Sequence, residues 1–433
     1  MRPKISVGVR LFPLVFFLAY LNFTVFLFVF GPWPYPVHDS SKLYVFLVLA
    51  HAALLLGYLM TAFGKPHGYH ARWSAKQLLV VSIVVNLLLV IPTSYFRTGS
   101  LIPPAWNALQ NLGAAYFEGR LLRQDQTPII EYVRALVGPV LAFLLPLTVF
   151  YWMQLPRHIK LLAVGAILAN LAIGIAMGVN RELFFVLFLA VWLAFARYLS
   201  GVRRFKWPNP RYVASAAVAV LIFFTFFSTS MLTRIGGQTS FYSSGIRGYA
   251  DTDSIFLRDL PPELQIGVAG ITSYLTQGYY ALYLALEKPF VPMFGVGHSM
   301  FVTRQAVRLT GIQELADISY PDRIMIEDGW NSYANYTTVY PWIASDVSFP
   351  GTIIVMAIVG ALMALSWLDT LRGENPFAVA AFSQFSIMMA TVPTVNWVVN
   401  SGEGFTTFWF FIIVWLLTRY RWIRRKEGHD ECN

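Results

Sequence analysis

From Leu11 to Phe30 the chain carries no charged side chain. A run of about twenty apolar residues is what an α-helix needs to cross the hydrocarbon of a bilayer. Comparable runs recur at Leu43–Ala62, Leu78–Tyr95, Val133–Met153, Leu161–Gly178 and Leu183–Leu199, then at Val213–Leu232, Gly351–Trp367, Phe377–Val398 and Phe405–Leu417. Lipid offers no partner to an unpaired peptide group, so a chain patterned this way folds as spanning helices. With 57% hydrophobic and 12% charged residues among 433, the composition is far from that of a soluble domain. The single cysteine, Cys432, excludes an internal disulfide framework and a thiolate metal cluster. The formal charge of +10 would suit nucleic acid, but its clusters fall in short connections between apolar runs. Lysine and arginine set membrane orientation there, and no nucleic-acid partner is expected.

The basic segment Met1–Arg10 precedes a run too long for a cleaved signal peptide, which predicts a first helix with its N-terminus in the cytoplasm. Inside connections then follow at Lys65, Arg72 and Lys76, at Arg157 and Lys160, at Arg203, Arg204, Lys206 and Arg211, and in the tail Arg419–Lys426. The expectation is an all-α polytopic membrane protein of about ten transmembrane helices with both termini cytoplasmic and the lipid bilayer as its solvent. Residues 1–232 hold spans one to seven, 233–348 a long extracytoplasmic loop with helical substructure, and 349–433 spans eight to ten and a basic tail.

Thr233–Ser348 is the only long stretch that cannot sit in lipid. It carries Arg234, Arg247, Arg258, Arg304, Arg308 and Arg323, and a polar-aromatic run from Asp328 to Gly351. Long connections tend to be sites or linkers, and the aromatic content argues against disorder. Within it Ala269–Leu286 is apolar but interrupted by Gln277 and Gly278, which predicts a helix lying on or dipping into the outer interface.

Inside connections mix lysine with arginine, whereas outside cations are nearly all arginine, Lys42 and Lys288 excepted. A guanidinium is a rigid, permanently charged fork that matches phosphate oxygens two at a time, so the bias suggests a phosphorylated ligand presented from outside or from the outer leaflet. The alternative is that these arginines anchor helices at headgroups or pair with acids such as Asp251, Asp253 and Asp259. Arg181 stands apart, because only Val179, Asn180, Arg181 and Glu182 join two spans and hold it at the mouth of the bundle. Arg304 and Arg308 are spaced to share one helical face, as are Arg120 and Arg123 if Leu109–Arg123 is helical.

The turn containing Gly178, Asn180 and Arg181 resembles the Gly-Ser/Thr-Arg turn of the Wzy-type oligosaccharide repeat-unit polymerases and of the related O-antigen ligases. The stretch YLTQGYYALYLAL, followed by Phe294, Gly295 and Gly297, is similar to the loop helix and Phe-Gly turn of those polymerases. The stretch NYTTVYPWIASDVSFPG resembles their Asn-x-Tyr-Thr, Asp-Phe-Gly and Gly signature, with Asn335, Asp346 and Gly351 in register and Tyr336 one position early. The chain departs from the pattern at Val347 and Ser348, which replace Phe-Gly, and at Asn180. Trp330-Asn331 stands where the ligases carry His-Asn, which favours polymerase over ligase.

The resemblance implies a GT-C-like glycosyltransferase that moves a glycan from one undecaprenyl diphosphate onto a second lipid-linked repeat unit, at the outer face of a bacterial inner membrane. The donor and acceptor lipids are the implied partners, with a chain-length regulator and a flippase besides. Arg181 is the first choice for the diphosphate, followed by Arg304 and Arg308, then Arg120, Arg123 and Arg247. Arg323, Asn331, Asn335, Tyr336 and Tyr279 complete the candidate ligand-binding set. A general base for the acceptor hydroxyl is sought among Asp328, Glu327, Asp346 and His298. Asp346 reads equally as a helix cap, whereas His298 reads more readily as a packed loop residue than as a base. Tyr274, Tyr279, Tyr280, Trp330, Tyr333 and Trp342 suit either sugar stacking or an interfacial aromatic belt. No cofactor is expected, and no aspartate pair or histidine cluster has metal-ligand spacing. The alternatives are a ligase acting on a lipid A core, a lipid-linked oligosaccharide flippase, and a purely structural membrane subunit.

Overall fold

The apolar runs become helices because lipid leaves their backbone no other partner. The computed structural model describes residues 5–65, 73–121, 129–201, 209–236 and 240–419. It begins with α1 (Val7–Phe30), α2 (Ser41–Ala62) and α3 (Ala75–Thr98). Ser74 and Gln77 form a reciprocal capping box at the start of α3, and Gly99 ends it at φ 75°. Two short helices, α4 (Ala105–Gln110) and α5 (Leu112–Leu121), precede α6 (Ile129–Ala142) and α7 (Leu144–Phe150). Then come α8 (Arg157–Ala176), α9 (Arg181–Ser200) and α10 (Pro210–Arg234). A small hairpin, β1 (Tyr242–Ser243) with β2 (Gly248–Tyr249), leads to α11 (Pro262–Leu286). The chain continues through α12 (Met300–Thr310), α13 (Glu314–Asp317), α14 (Tyr320–Asp328) and α15 (Ser332–Asn335). It closes with α16 (Val339–Arg372), α17 (Pro376–Thr391) and α18 (Gly402–Arg419).

Among the described residues eight segments are long and apolar enough to cross a membrane: α1, α2, α3, α6 with α7, α8, α9, α10 and α16. The helix α17 is apolar but shorter. The protein is thus an α-helical, multi-pass membrane protein.

Close approach between α2 and α16 is set by glycine. A Cβ at Gly57 would lie 1.9 Å from the Ala357 carbonyl oxygen, and one at Gly360 would lie 2.3 Å from that of Leu54. Between helices in lipid, small residues replace hydrophobic driving force with backbone-to-backbone contact. Trp367, Phe382 and Trp415 fill the adjoining core. At the end of the bundle away from residues 240–338, Arg419 pairs with Asp369, both almost fully buried, and Trp415 Nε1 donates to Asp369 Oδ2 at 3.0 Å.

The helix expected over Ala269–Leu286 begins earlier, at Pro262, as α11, and packs among α1, α2 and α10, with Tyr279, Ala281, Leu282 and Ala285 fully buried. Its interruptions are contacts: Gln277 is buried, and a Cβ at Gly278 would lie 2.1 Å from the Pro393 carbonyl oxygen. Helical structure already begins at Val339, within the expected loop, but Ser348 is non-helical at φ 66° and ψ 170°, so α16 consists of two helical segments and the second covers the expected Gly351–Trp367. The segment expected as one helix from Leu109 is broken at Asn111 into α4 and α5.

Candidate functional site

The turn between α8 and α9 organises the site. Gly178 has φ 62°, and a Cβ there would stand 2.6 Å from both the Leu112 carbonyl oxygen and the Tyr116 nitrogen. Only glycine combines that dihedral with so close an approach to α5. The next helix begins at Arg181, so its first unpaired N–H groups and positive dipole end lie at this turn. The Arg181 guanidinium stands 4.8 Å from the Trp397 ring centroid, and its Nη2 donates to Glu182 Oε1 at 2.6 Å. Gly174, on the preceding helix, makes room for Glu182: a Cβ there would lie 2.9 Å from the Glu182 Cβ. From the end of α10, Arg234 donates to the Gly178 carbonyl and lies 4.0 Å from the centroid of the Tyr116 ring. Two guanidinium groups therefore converge on one turn from different helices.

Two cavities meet there. The first has a volume of about 420 Å³ and is walled by Phe16, Phe184, Phe188, Phe223 and Phe227. Its polar lining comes from Tyr116, Asn180, Arg181, Arg234, Tyr274 and Tyr336. Both side-chain polar atoms of Asn180 and the Nε of Arg234 are buried there without a hydrogen-bond partner. Buried polar groups are normally satisfied, so these atoms are ready for a ligand. Tyr336 holds φ 58°, and its carbonyl accepts from Trp330 Nε1 at 2.9 Å.

The second cavity, of about 700 Å³, is lined by Arg97, Arg134, Arg181, Arg304 and Arg308, with Glu131, Glu182 and Glu403. Arg97 binds Glu131 through two bonds of 2.8 Å, and Arg134 binds Glu403 through bonds of 2.9 and 3.1 Å. Such bidentate forks fix wall geometry. Arg304 forms no ion pair among the described residues and stands 5.7 Å from the Tyr333 ring centroid. Tyr333 in turn donates to Asp322 at 2.7 Å, whose carboxyl burial pushes up against the hydrogen bonds from Ser319 and Tyr333. Arg308 reaches the Tyr132 hydroxyl. Asn86, Asn170 and Gln384 carry the polar lining inward. Asn86 lies about 16 Å further along α3 than Arg97 at the helical rise per residue, or about half the thickness of a hydrocarbon core. The cavities share Arg181, Phe185 and Trp397, so Arg181 is part of the partition between them.

Of the side chains singled out by sequence, Arg181, Arg304 and Arg308 line the second cavity, and Arg181, Tyr274 and Tyr336 the first. Arg304 and Arg308 share the helix α12 as their spacing predicts. The side chain of Arg120, and Arg123 altogether, lie outside the described residues. Arg247 occupies the hairpin turn at φ 51°. Arg323, Glu327 and Asp328 form a separate cluster with Lys288: Lys288 Nζ lies 2.8 Å from Asp328 and 3.0 Å from Glu327, and Arg323 Nε 3.2 Å from Glu327. Hydrogen bonds from Lys288 and Arg323 hold the Glu327 carboxyl below the usual carboxylate range. Asn331 caps α15 and Asn335 accepts from Ser244 at 3.4 Å.

Tyr279, expected to bind ligand, is instead a core residue, its hydroxyl 2.8 Å from that of Thr24 and its ring 5.7 Å from Phe28. Trp330 and Trp342 are likewise core rather than belt or sugar platform. Asp346 does not cap its own helix. Its Oδ1 accepts from the backbone of Gly295 at 2.9 Å and Gly297 at 2.8 Å, and its Oδ2 from the backbone and ring Nδ1 of His298, both at 2.9 Å. The carboxylate fastens that turn to α16, and the His298 Nε2 is buried against Phe405 and Trp409 without a partner. None of Asp328, Glu327, Asp346 and His298 lines either cavity.

Sequence reasoning did not select Arg234, Arg97, Arg134, Glu182, Tyr116 or Trp397. Their arginine bias was visible, but their convergence is tertiary. No group of three metal-ligating side chains occurs among the described residues. Comparison with protein-family models, curated proteins and solved structures gives no match.

Proposed function

We propose that the protein is a glycosyltransferase that polymerises undecaprenyl-diphosphate-linked oligosaccharide repeat units at the extracytoplasmic face of a bacterial inner membrane. In this reading α17 and α18 join the eight long spans to make ten, with both termini cytoplasmic, in a GT-C-like arrangement. The observation that carries the proposal is the position of Arg181 in the partition between an aromatic cavity and an arginine-rich one. A prenyl tail suits the phenylalanine walls, and its diphosphate meets Arg181 and Arg234 at the polar end.

The chemistry follows from that placement. A hydroxyl oxygen of the acceptor sugar attacks the anomeric carbon of the donor. The bond from that carbon to the diphosphate oxygen breaks, and its electron pair leaves on the diphosphate. Fixed guanidinium groups oppose the charge that develops there. The hydroxyl proton passes to Glu182, whose Oε2 is buried at the second cavity without a hydrogen-bond partner.

Purified protein in lipid nanodiscs, given undecaprenyl-diphosphate repeat units, is expected to yield a ladder of products. Arg181→Ala is expected to lose the ladder while remaining folded, and an unchanged ladder would remove Arg181 from the reaction. A transporter is the second reading, favoured by Asn86, Asn170 and Gln384 at depth. Flipping of a labelled lipid-linked glycan with no ladder would establish that reading instead.

A further inference from the structure

Resting on the transferase reading, we infer that the arginine-rich cavity is a chamber for an acceptor glycan that bears an oxyanion, a sugar carboxylate or a sugar phosphate. Charge is the first ground. Five arginines and three glutamates line the chamber, and two of those glutamates are fully engaged by Arg97 and Arg134. Arg304 forms no ion pair among the described residues, although its charge acts on the Asp322 carboxyl behind Tyr333. An arginine facing a cavity in that state matches an oxyanion through two parallel N–H groups.

The second ground is independent of charge. Asn400 Nδ2, Glu182 Oε2 and Thr407 Oγ1 are buried at this chamber with no hydrogen-bond partner. Gln384, further in, makes no hydrogen bond among the described residues and is also part of the lining. Unmatched donors and acceptors on several sides fit a ligand dense in hydroxyl groups and would be wasted on a hydrocarbon tail. Polar groups held at such depth in a spanning bundle mark a pathway or a binding site by default. The prenyl chain has its own aromatic cavity across the partition, so the polar chamber is left to the sugars.

The test is direct binding to the full-length protein in nanodiscs, read by isothermal titration calorimetry with three probes. Trigalacturonate carries carboxylates, glucose 6-phosphate carries a phosphate, and maltotriose is neutral. At least one anionic probe is expected to bind ten-fold or more tightly than maltotriose, and which one does so separates the two sources of charge. Arg304→Gln is expected to weaken the anionic probe at least ten-fold and leave maltotriose unchanged. Gln384→Ala, remote from Arg304 in sequence and on another helix, is expected to weaken every probe that binds, which locates the site without relying on the fold of α12. Equal binding of all three, binding of none, or an affinity indifferent to both substitutions overturns the inference. The readout needs no turnover: anionic binding without a product ladder sinks the transferase reading and leaves an oxyanion-binding chamber with no acceptor role, whereas a ladder without anionic preference sinks this inference alone.

Discussion

The two cavities touch the same arginine and differ in almost everything else. One is walled by phenylalanine from α1, α9 and α10, and its charged groups are confined to one turn. The other is ringed by ion pairs and keeps uncharged amides deep in the bundle. A single pocket able to solvate both a hydrocarbon tail and a hydroxylated chain would serve neither well, because each burial is favourable only in its own surroundings. Arg181, Phe185 and Trp397 divide the volume; in the proposed transferase reading, each ligand would find its own solvent and the reacting ends would meet at a guanidinium.

That division can be broken at once or one side at a time. Arg181→Ala acts on both sides, and the expected loss is roughly 10²–10³-fold in initial polymerisation rate, as for removal of one preorganised donor from a developing charge. Thermal unfolding in detergent is expected to shift downward without loss of the fold, because Glu182 and Trp397 lose their guanidinium partner. Phe188→Asp strikes only the aromatic side. A prenyl tail entering there would have to strip water from the new carboxylate, so the lipid-linked donor is expected to bind at least about ten-fold more weakly while trigalacturonate binds as before. Coupled loss of both would mean that the cavities are not separate.

Gly178→Ala probes the hinge of the partition. Its left-handed dihedral and the 2.6 Å approach to α5 predict a loss of about 1–3 kcal/mol, seen as a lower unfolding temperature together with a weaker ladder. The smallest effect is expected outside both cavities. Ser348 holds φ 66° and ψ 170°, a region suited to glycine, so Ser348→Gly is expected to stabilise by about 1 kcal/mol with both binding reactions unaffected. A destabilised variant would show that the serine side chain, 3.5 Å from the Gly351 nitrogen, matters more than the backbone dihedral.

Hydropathy and basic connections made the spanning helices legible, because the bilayer length and the demand for internal hydrogen bonds act on each run separately. Arg181 was legible for a similar reason: a very short turn leaves a charge nowhere else to go. What failed was whatever depended on a neighbouring helix. Gly278 reads as an interruption until Pro393 is seen against it, and Tyr279 reads as a platform until Thr24 takes its hydroxyl. Val339–Ser345 looks like the end of a loop because Ser348 and Pro350 follow, yet its side chains are buried and it forms a helical segment of its own, separated from the next by the non-helical Ser348. The second arginine at the turn, Arg234, comes from the end of a separate helix, and no local pattern announces that meeting.

The ion pair at the far end of the bundle bears on how the protein is made. Asp369 emerges from the ribosome with α16, but its cation lies 50 residues downstream in α18. Until α18 is inserted, a carboxylate destined for the interior lacks two of its donors, the Arg419 guanidinium and the Trp415 indole. A chain stopped before α18 would bury that carboxylate without either of these donors.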